Sequence, residues 1–383
     1  MQNTLYTLLL TILTISAGAQ NKHAEVEKRL IKYFQQKVGN HVVVTKEKLN
    51  AGSVNKNINI SVSESLIDFD TIQSWIINPY FSQKFKESED EKIYQKNFPR
   101  SFSVLYNNAL VSLFENGKFA CFKLNNLERD KGLENKLNTK LFDYHWISGD
   151  RLAGLSGGVV HLWNGEKWIK LANKFPLKHD PKLFEDEKFL VYRDCHGEWG
   201  GTVYFFEKAT SKTFFTESTC ANSVIKANKG YIVLANLGHG FGSTEAKVIA
   251  DPTKLTLAKS NQIGKTVNGQ ALGYTDKSNA FKKEMDFYGL QVFSSFKYHD
   301  KVLYLVHFSE LTFIAEIKGD NIEIVHPLFF NNLYTHNPVT SKYGDYTLIN
   351  LDHYGTGLDR EIAIILIKDN KITKLDWNDK HNY

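Results

Sequence analysis

The amino-acid sequence predicts an all-β fold, and three observations support this. From Arg100 onward the chain consists of short runs rich in Val, Ile, Phe, Tyr and Thr, separated by turn residues. Aromatic residues make up 13% of the chain, and most of them alternate with polar residues inside these runs. The runs also recur in a fixed order, which favours a repeated architecture over an irregular succession of strands.

Each recurring unit begins with a strand, a tight polar turn and a strongly apolar second strand. If the residues that open the second strand are equivalent, the units are spaced by 42, 37, 42, 71 and 44 residues; these residues are Ala109, Arg151, Lys188, Gly230, Lys301 and Asp345. The longest step contains an insertion, roughly residues 260–290. A second hairpin closes each unit, and its Asn-Gly and similar pairs supply the positive φ of two-residue turns. The clearest examples are residues 114–119, 163–168, 317–322 and 367–372.

A four-stranded unit with a period of about 40–50 residues is typical of a β-propeller blade. One small sheet cannot bury both faces, whereas a ring of sheets buries every inner face and protects the edges. We therefore expect propeller blades over residues 100–383 and count six units. A β-sandwich whose hairpins resemble one another by chance is the alternative.

The segment before the repeats, residues 20–99, predicts a short helix and some strands. Apolar residues at helical spacing over 24–38 indicate the helix, and residues 70–96 read as a second, polar stretch with helical character. Residues 42–44 and 58–62 read as strands. Residues 41–69 could supply a seventh blade or the strand that closes the ring.

Residues 1–19 read as a cleavable signal peptide. The run from Leu5 to Ile15 is apolar apart from its threonines, and small residues occupy the two positions before a cleavage site after Ala19. No Lys or Arg precedes the run, which departs from the usual pattern, so an uncleaved anchor is the alternative. The run is shorter than the roughly 20 apolar residues that a bilayer requires. We therefore expect an exported protein, periplasmic or extracellular, with no transmembrane segment in the mature chain.

The charge distribution argues against nucleic-acid binding. The 47 Lys and Arg residues exceed the 42 Asp and Glu residues by only five, and the two signs are interspersed along the chain. Because no basic stripe results, the electrostatic pattern of a nucleic-acid-binding surface is missing.

Three loops that follow apolar strands share a histidine next to glycines. They are residues 194–201, 237–242 and 352–357, and each lies where the second strand of a unit connects to the third. In a propeller such loops lie on one face around the axis, together with the starts of the units, such as His336-Asn337. We expect this face to bind a ligand; the candidate ligand-binding residues are Asp194, His196, Glu198, Trp199, His239, Phe241, Asp352 and His353. The alternative is structural: glycine permits the turns, and His and Asp satisfy buried loop amides.

The three loop histidines also suggest a metal site. His196, His239 and His353 occupy equivalent positions in three units, and two of them closely follow an aspartate. Imidazoles that converge on one axis could hold a divalent metal, or they could line a metal-free channel.

The three cysteines do not match a zinc-binding spacing. Cys121 lies in an alternating strand and is expected to be a buried thiol. Cys195 and Cys220 fall on the same face in adjacent units and could form a disulfide, which an exported protein can keep.

In architecture the repeats resemble the kelch and WD-repeat class, although neither signature motif occurs. Residues 194–201, Asp-Cys-His-Gly-Glu-Trp-Gly-Gly, resemble a segment of uncharacterised secreted bacterial β-propeller-like proteins. That resemblance covers one or two blades and implies no activity.

Two functions are compatible with these features. The first is a secreted or envelope binding module that recognises a protein, glycan or peptide through the glycine- and histidine-rich face. The second is a metal-assisted hydrolase or lyase with clustered His and Asp at the channel mouth. Nucleophile-elbow, HExxH, P-loop and dinucleotide-binding motifs are missing from the sequence.

Overall fold

The computed structural model describes residues 28, 32, 59–80, 98–171, 176, 179–239, 242–308, 311–330, 333, 335–353 and 361–377. In this part of the chain, six sheets form the blades of a β-propeller, which confirms the all-β prediction and the count of six units. Residues 1–19 and most of the predicted helix over 24–38 lie outside the described residues, although Lys28 and Lys32 are helical. No helix among the described segments is long and apolar enough to cross a bilayer.

Two strands precede the blades, β1 (Asn59–Val62) and β2 (Asp70–Ile76). Blade 1 contains β3 (Val104–Tyr106), β4 (Ala109–Leu113) and β5 (Phe119–Lys123). Blade 2 contains β6 (Tyr144–Ser148), β7 (Arg151–Ser156), β8 (Val159–Trp163) and β9 (Trp168–Lys170). Blade 3 contains β10 (Lys182–Glu185), β11 (Phe189–Cys195), β12 (Gly201–Glu207) and β13 (Lys212–Glu217).

Blades 4 to 6 are built in the same way. Blade 4 contains β14 (Ala221–Ala227), β15 (Gly230–Leu237), β16 (Ser243–Ile249) and β20 (Lys282–Tyr288). Blade 5 contains β21 (Gln291–Tyr298), β22 (Lys301–Phe308), β23 (Leu311–Lys318) and β24 (Asn321–Phe330). Blade 6 contains β25 (Val339–Tyr343), β26 (Tyr346–Asn350), β27 (Ala363–Lys368) and β28 (Lys371–Trp377).

The first strand of each blade lies towards the central axis, because the first strands contact one another between blades. The second strands carry the most continuous apolar sequence, and all five residues of β4 are buried. The predicted turns occur between the third and fourth strands of blades 5 and 6, where Gly319 and Asp369 have φ of +58° and +50°. β15 and β22 begin at Gly230 and Lys301, which the repeat predicted as the first residues of second strands.

Blade 1 departs from the predicted four strands. Its outer edge is covered by a short helix, α1 (Lys131–Leu137), which packs against β5. The helix begins where the Asp130 side chain accepts a hydrogen bond from the Leu133 amide, and the buried Glu134 side chain accepts one from the Cys121 amide. The turn at 114–119 therefore joins the second and third strands of this blade, and its assignment as a closing hairpin was wrong.

β1 and β2 extend the outer edges of two blades. β1 pairs in parallel with β24 of blade 5, and β2 pairs in parallel with β28 of blade 6. They thus add fifth strands on the outside instead of forming a seventh blade. The helical reading of residues 70–96 was wrong for residues 70–76, because pairing with β28 overrides the weak local preference.

The insertion lies between the third and fourth strands of blade 4, at residues 250–281. It begins and ends earlier than predicted, because Lys282–Tyr288 is a blade strand. It contains 3-10 helices at Pro252–Lys254 and Leu272–Thr275 and short strands β17 (Thr256–Leu257), β18 (Thr266–Val267) and β19 (Gln270–Ala271). β17 pairs with β13, so the insertion reaches back over blade 3.

Candidate functional site

The loop between β11 and β12 is held in place by Asp194. This buried carboxylate accepts hydrogen bonds from the Thr202 amide at 2.8 Å and the Tyr204 hydroxyl at 2.5 Å. Since both carboxylate oxygens are bound inside the blade, Asp194 is a structural residue here. These hydrogen bonds favour the structural alternative for Asp194, and ligand binding by this residue stays a prediction.

Behind this loop, a disulfide joins Cys195 at the end of β11 to Cys220 at the start of blade 4, with Cα atoms 4.6 Å apart. Cys220 has a φ of +56° in the linker between the two blades. The bridge therefore ties the loop of blade 3 to the neighbouring blade. Cys121 is a buried free thiol.

The loops surround a cleft of about 410 Å³ on one face of the propeller, which we call the histidine cleft. Three second-to-third-strand loops and the start of blade 6 supply its walls. The lining residues are Cys195, Gly197, Glu198, Trp199, Cys220, Leu237, Gly238, His239, His336, Asn337, Asp352 and His353.

Five of the predicted ligand-binding residues thus converge on one cleft, namely Glu198, Trp199, His239, Asp352 and His353. Asp194 and His196 lie outside its lining, and Phe241 lies outside the described residues.

At the mouth of the cleft, Glu198 and His239 form a pair between blades 3 and 4. The His239 Nδ1 atom lies 2.5 Å from the Glu198 Oε1 atom, and both side chains are more than half exposed. The His336 ring packs edge-on against His239, with ring centroids 6.3 Å apart. Trp199 stands beside this pair with 63% of its surface exposed. The mouth therefore combines a carboxylate, two imidazoles and a free indole.

Deeper in the cleft, His353 packs edge-on against Phe102, with ring centroids 4.7 Å apart. Its Nδ1 atom lies 3.6 Å from the Oδ1 atom of the buried Asp352, and that oxygen also accepts the His353 amide. The blade 6 histidine is thus held by its own aspartate and a neighbouring ring.

The three predicted metal ligands do not form one group. His196 lies 3.6 Å from Asp194, His239 faces Glu198, and His353 lies against Asp352. Within the described ranges, no group of three or more His, Cys, Asp or Glu side chains is arranged to hold a metal ion. Each imidazole faces a carboxylate of its own or the adjacent blade, and a metal site shared by the three histidines stays a prediction.

A residue that the sequence reasoning missed lies beneath the cleft. Arg193 is only 2% exposed, and its guanidinium donates a hydrogen bond to the Asn337 side chain in the cleft wall. Burial lowers the pKa of Arg193 to about 10, although nearby carboxylates, including Asp194 and Asp352, oppose this shift. Arg193 remains charged at neutral pH. A charged residue within the apolar run of β11 was the signal that could have identified it.

Comparisons with known proteins give only distant resemblances. No protein family and no curated protein matches the chain. Among solved structures, BamB from Moraxella catarrhalis is 8% identical with a TM-score of 0.32, covering 73% of this chain and 70% of that chain. The N-terminal domain of Nup159 is 9% identical with a TM-score of 0.34, covering 84% and 85%. Hsv2 of Kluyveromyces lactis is 11% identical with a TM-score of 0.32, covering 80% and 75%. Similarity this low gives no information about the ligand, and the propeller assignment rests on the strand topology described above.

Proposed function

We propose that the protein is an exported binding module and that a protein or peptide segment binds at the histidine cleft. The observation that carries this proposal is the exposed Trp199 at the rim of the cleft. Tryptophan is enriched among the residues that dominate protein-binding energies, and such residues sit beside pockets that exclude water.

The chemistry of the cleft suits a peptide. The indole of Trp199 and the Cys195–Cys220 disulfide offer apolar surface, while Glu198 and His239 offer exposed charged and hydrogen-bonding groups at the mouth. A peptide supplies both kinds of partner within a few residues. Gly197 carries no side chain, and nothing in the protein lies within 4 Å of where its Cβ atom would be, which leaves this part of the cleft wall accessible to a bound segment.

Two features support export. Residues 1–19 have the pattern of a signal peptide. The disulfide between blades 3 and 4 suits an oxidising compartment, since such bonds are rare in the reducing cytosol.

The test is selection of binders on the immobilised mature protein from a random dodecapeptide phage library, with an oligosaccharide panel probed in parallel. The affinity of an enriched peptide is then measured by calorimetry for the wild type and for Trp199→Ala. We expect Trp199→Ala to weaken binding at least about tenfold, the scale of an interface hot spot. The melting temperature should stay unchanged, because the side chain is largely exposed.

Trp75→Ala is the matched control, because Trp75 is 61% exposed but lies in β2 on the outer edge of blade 6. This variant should bind the peptide as the wild type does. Equal affinity of the Trp199→Ala and wild-type proteins, or binding to oligosaccharides without any peptide enrichment, would overturn the proposal.

A further inference from the structure

A second and larger cavity lies on the opposite side of the propeller. It has a volume of about 860 Å³, and its walls come from the first strands of all six blades and the turns that follow them; we call it the hub cavity. It shares no lining residue with the histidine cleft. Its volume lies within the range of about 300–1,000 Å³ that small-molecule sites usually have.

The hub cavity is lined by one equivalent residue from each blade. In every blade this residue pairs with the second residue of the second strand, as Lys226 pairs with Tyr231 and Lys297 with Val302. From blade 1 to blade 6, these positions are Leu105, Ile147, Glu185, Lys226, Lys297 and Lys342. The ring of six positions is therefore apolar on blades 1 and 2 and basic on blades 4 to 6.

Part of this charge is compensated within the protein. The Glu185 carboxylate forms ion pairs with the ammonium groups of Lys182 at 2.9 Å and Lys208 at 2.7 Å. The ammonium group of Lys226 lies 2.6 Å from the Asp186 carboxylate. These three lysines and two carboxylates are engaged with one another and together leave a net charge of +1 at the cavity.

Two lysines of the ring remain available. Lys297 of blade 5 and Lys342 of blade 6 are exposed and form no ion pair with any residue in the described ranges. The two unpaired acidic residues of the lining, Asp150 and Glu187, belong to blades 2 and 3. The cavity therefore has opposite charges on different blades, and an entering anion would be drawn towards blades 5 and 6.

The uncharged lining matches this division. Hydroxyl groups of Ser295, Thr340 and Thr347 line the cavity on blades 5 and 6. Two of these hydroxyls are engaged within the protein, because Thr340 donates to Ser294 at 2.8 Å and Ser295 pairs with Ser223 at 2.8 Å, so the lysines are the main partners that an anion finds here. Leu105 and Ile147 provide apolar surface on blades 1 and 2, and blade 1 is next to blade 6 in the ring.

We propose that the hub cavity binds a small amphipathic anion, with its anionic group between Lys297 and Lys342 and its apolar body against Leu105 and Ile147. A medium-chain carboxylate is the simplest molecule of this class. Its carboxylate would form charge-assisted hydrogen bonds with the two ammonium groups, and its hydrocarbon chain would leave water.

Decanoate is the probe, titrated into the mature wild-type protein by calorimetry at low ionic strength. We expect binding that weakens with added salt, and decyltrimethylammonium, with the same chain and the opposite charge, should bind at least about tenfold more weakly. The double variant Lys297→Ala/Lys342→Ala should lose at least about tenfold in affinity for decanoate, while Lys297→Arg should keep most of it.

The matched control is Lys318→Ala/Lys371→Ala, which removes two exposed lysines from the outer turns of the same two blades. This control should bind decanoate as the wild type does. The proposal is overturned if the wild type fails to bind decanoate at millimolar concentration, if decyltrimethylammonium binds equally well, or if the Lys297/Lys342 variant stays within twofold of the wild type. Trp199→Ala should bind decanoate normally, which separates this site from the histidine cleft.

Discussion

Removing the Cys195–Cys220 disulfide should lower the free energy of unfolding by an amount that depends on the length of the loop it closes. The two cysteines are 25 residues apart in sequence, and the bridge closes a loop that contains the outer half of blade 3. For a loop of this length the chain-entropy relation gives about 3.5 kcal/mol of stabilisation, through the restricted unfolded chain. Given the unfolding entropy of a chain of this size, the melting temperature should fall by about 5 °C.

The assay is thermal unfolding of the wild type and of Cys195→Ala/Cys220→Ala, each with and without reductant. Reductant should lower the melting temperature of the wild type towards that of the double variant and leave the variant unchanged. Thiol titration checks the bond itself. No thiol should react in the native protein, one should react in denaturant, and three should react after reduction, because burial raises the pKa of the Cys121 thiol and hides it from reagents. A shift of less than about 1 °C would refute the entropic argument, and three reactive thiols without reductant would refute the bridge.

Three further outcomes are expected. Mass spectrometry of exported protein should show a chain that starts at Gln20, and an intact N-terminus on membrane-embedded protein would contradict the signal peptide. Asp194→Ala should lower the free energy of unfolding by about 3 kcal/mol, because it strands the Tyr204 hydroxyl and a backbone amide inside the blade. Glu198→Gln, at an exposed side chain, should change the free energy of unfolding by less than about 0.5 kcal/mol. If the two variants lose the same free energy in urea unfolding, the structural role of Asp194 is contradicted. Burial lowers the pKa of His145 to about 4. Because the unfolded chain then takes up the proton first, stability should fall by about 2 kcal/mol from pH 7 to pH 5. An unchanged pH slope in His145→Asn would contradict this.

The repeat and its strands were predictable from the sequence because their signals are local. Alternating apolar residues and turn residues such as Gly319 act within a few positions of the chain, so Gly230 and Lys301 could be identified as the starts of second strands. The placement of the glycine- and histidine-rich loops on one face follows from the same repeat.

Only the tertiary structure decided what each loop residue does. Asp194 and Glu198 are four positions apart in one loop, yet the first is bound inside the blade and the second faces His239 of the next blade. Contacts of this kind also place each of the three predicted metal ligands against a different carboxylate. Side-chain direction in a loop depends on neighbours distant in sequence, and periodicity carries no information about them.

The hub cavity shows both what the sequence predicts and what it cannot predict. Aligning the repeats by their second strands places Lys226, Lys297 and Lys342 at one equivalent position, so the sequence already contained this basic arc. What it could not show is which of these charges are compensated. Lys226 meets Asp186 of blade 3, because closing the ring brings adjacent blades into contact, whereas Lys297 and Lys342 form no ion pair with a described residue. Repetition along the chain determined the ring, and contacts between blades determined which side chains are left to bind a ligand.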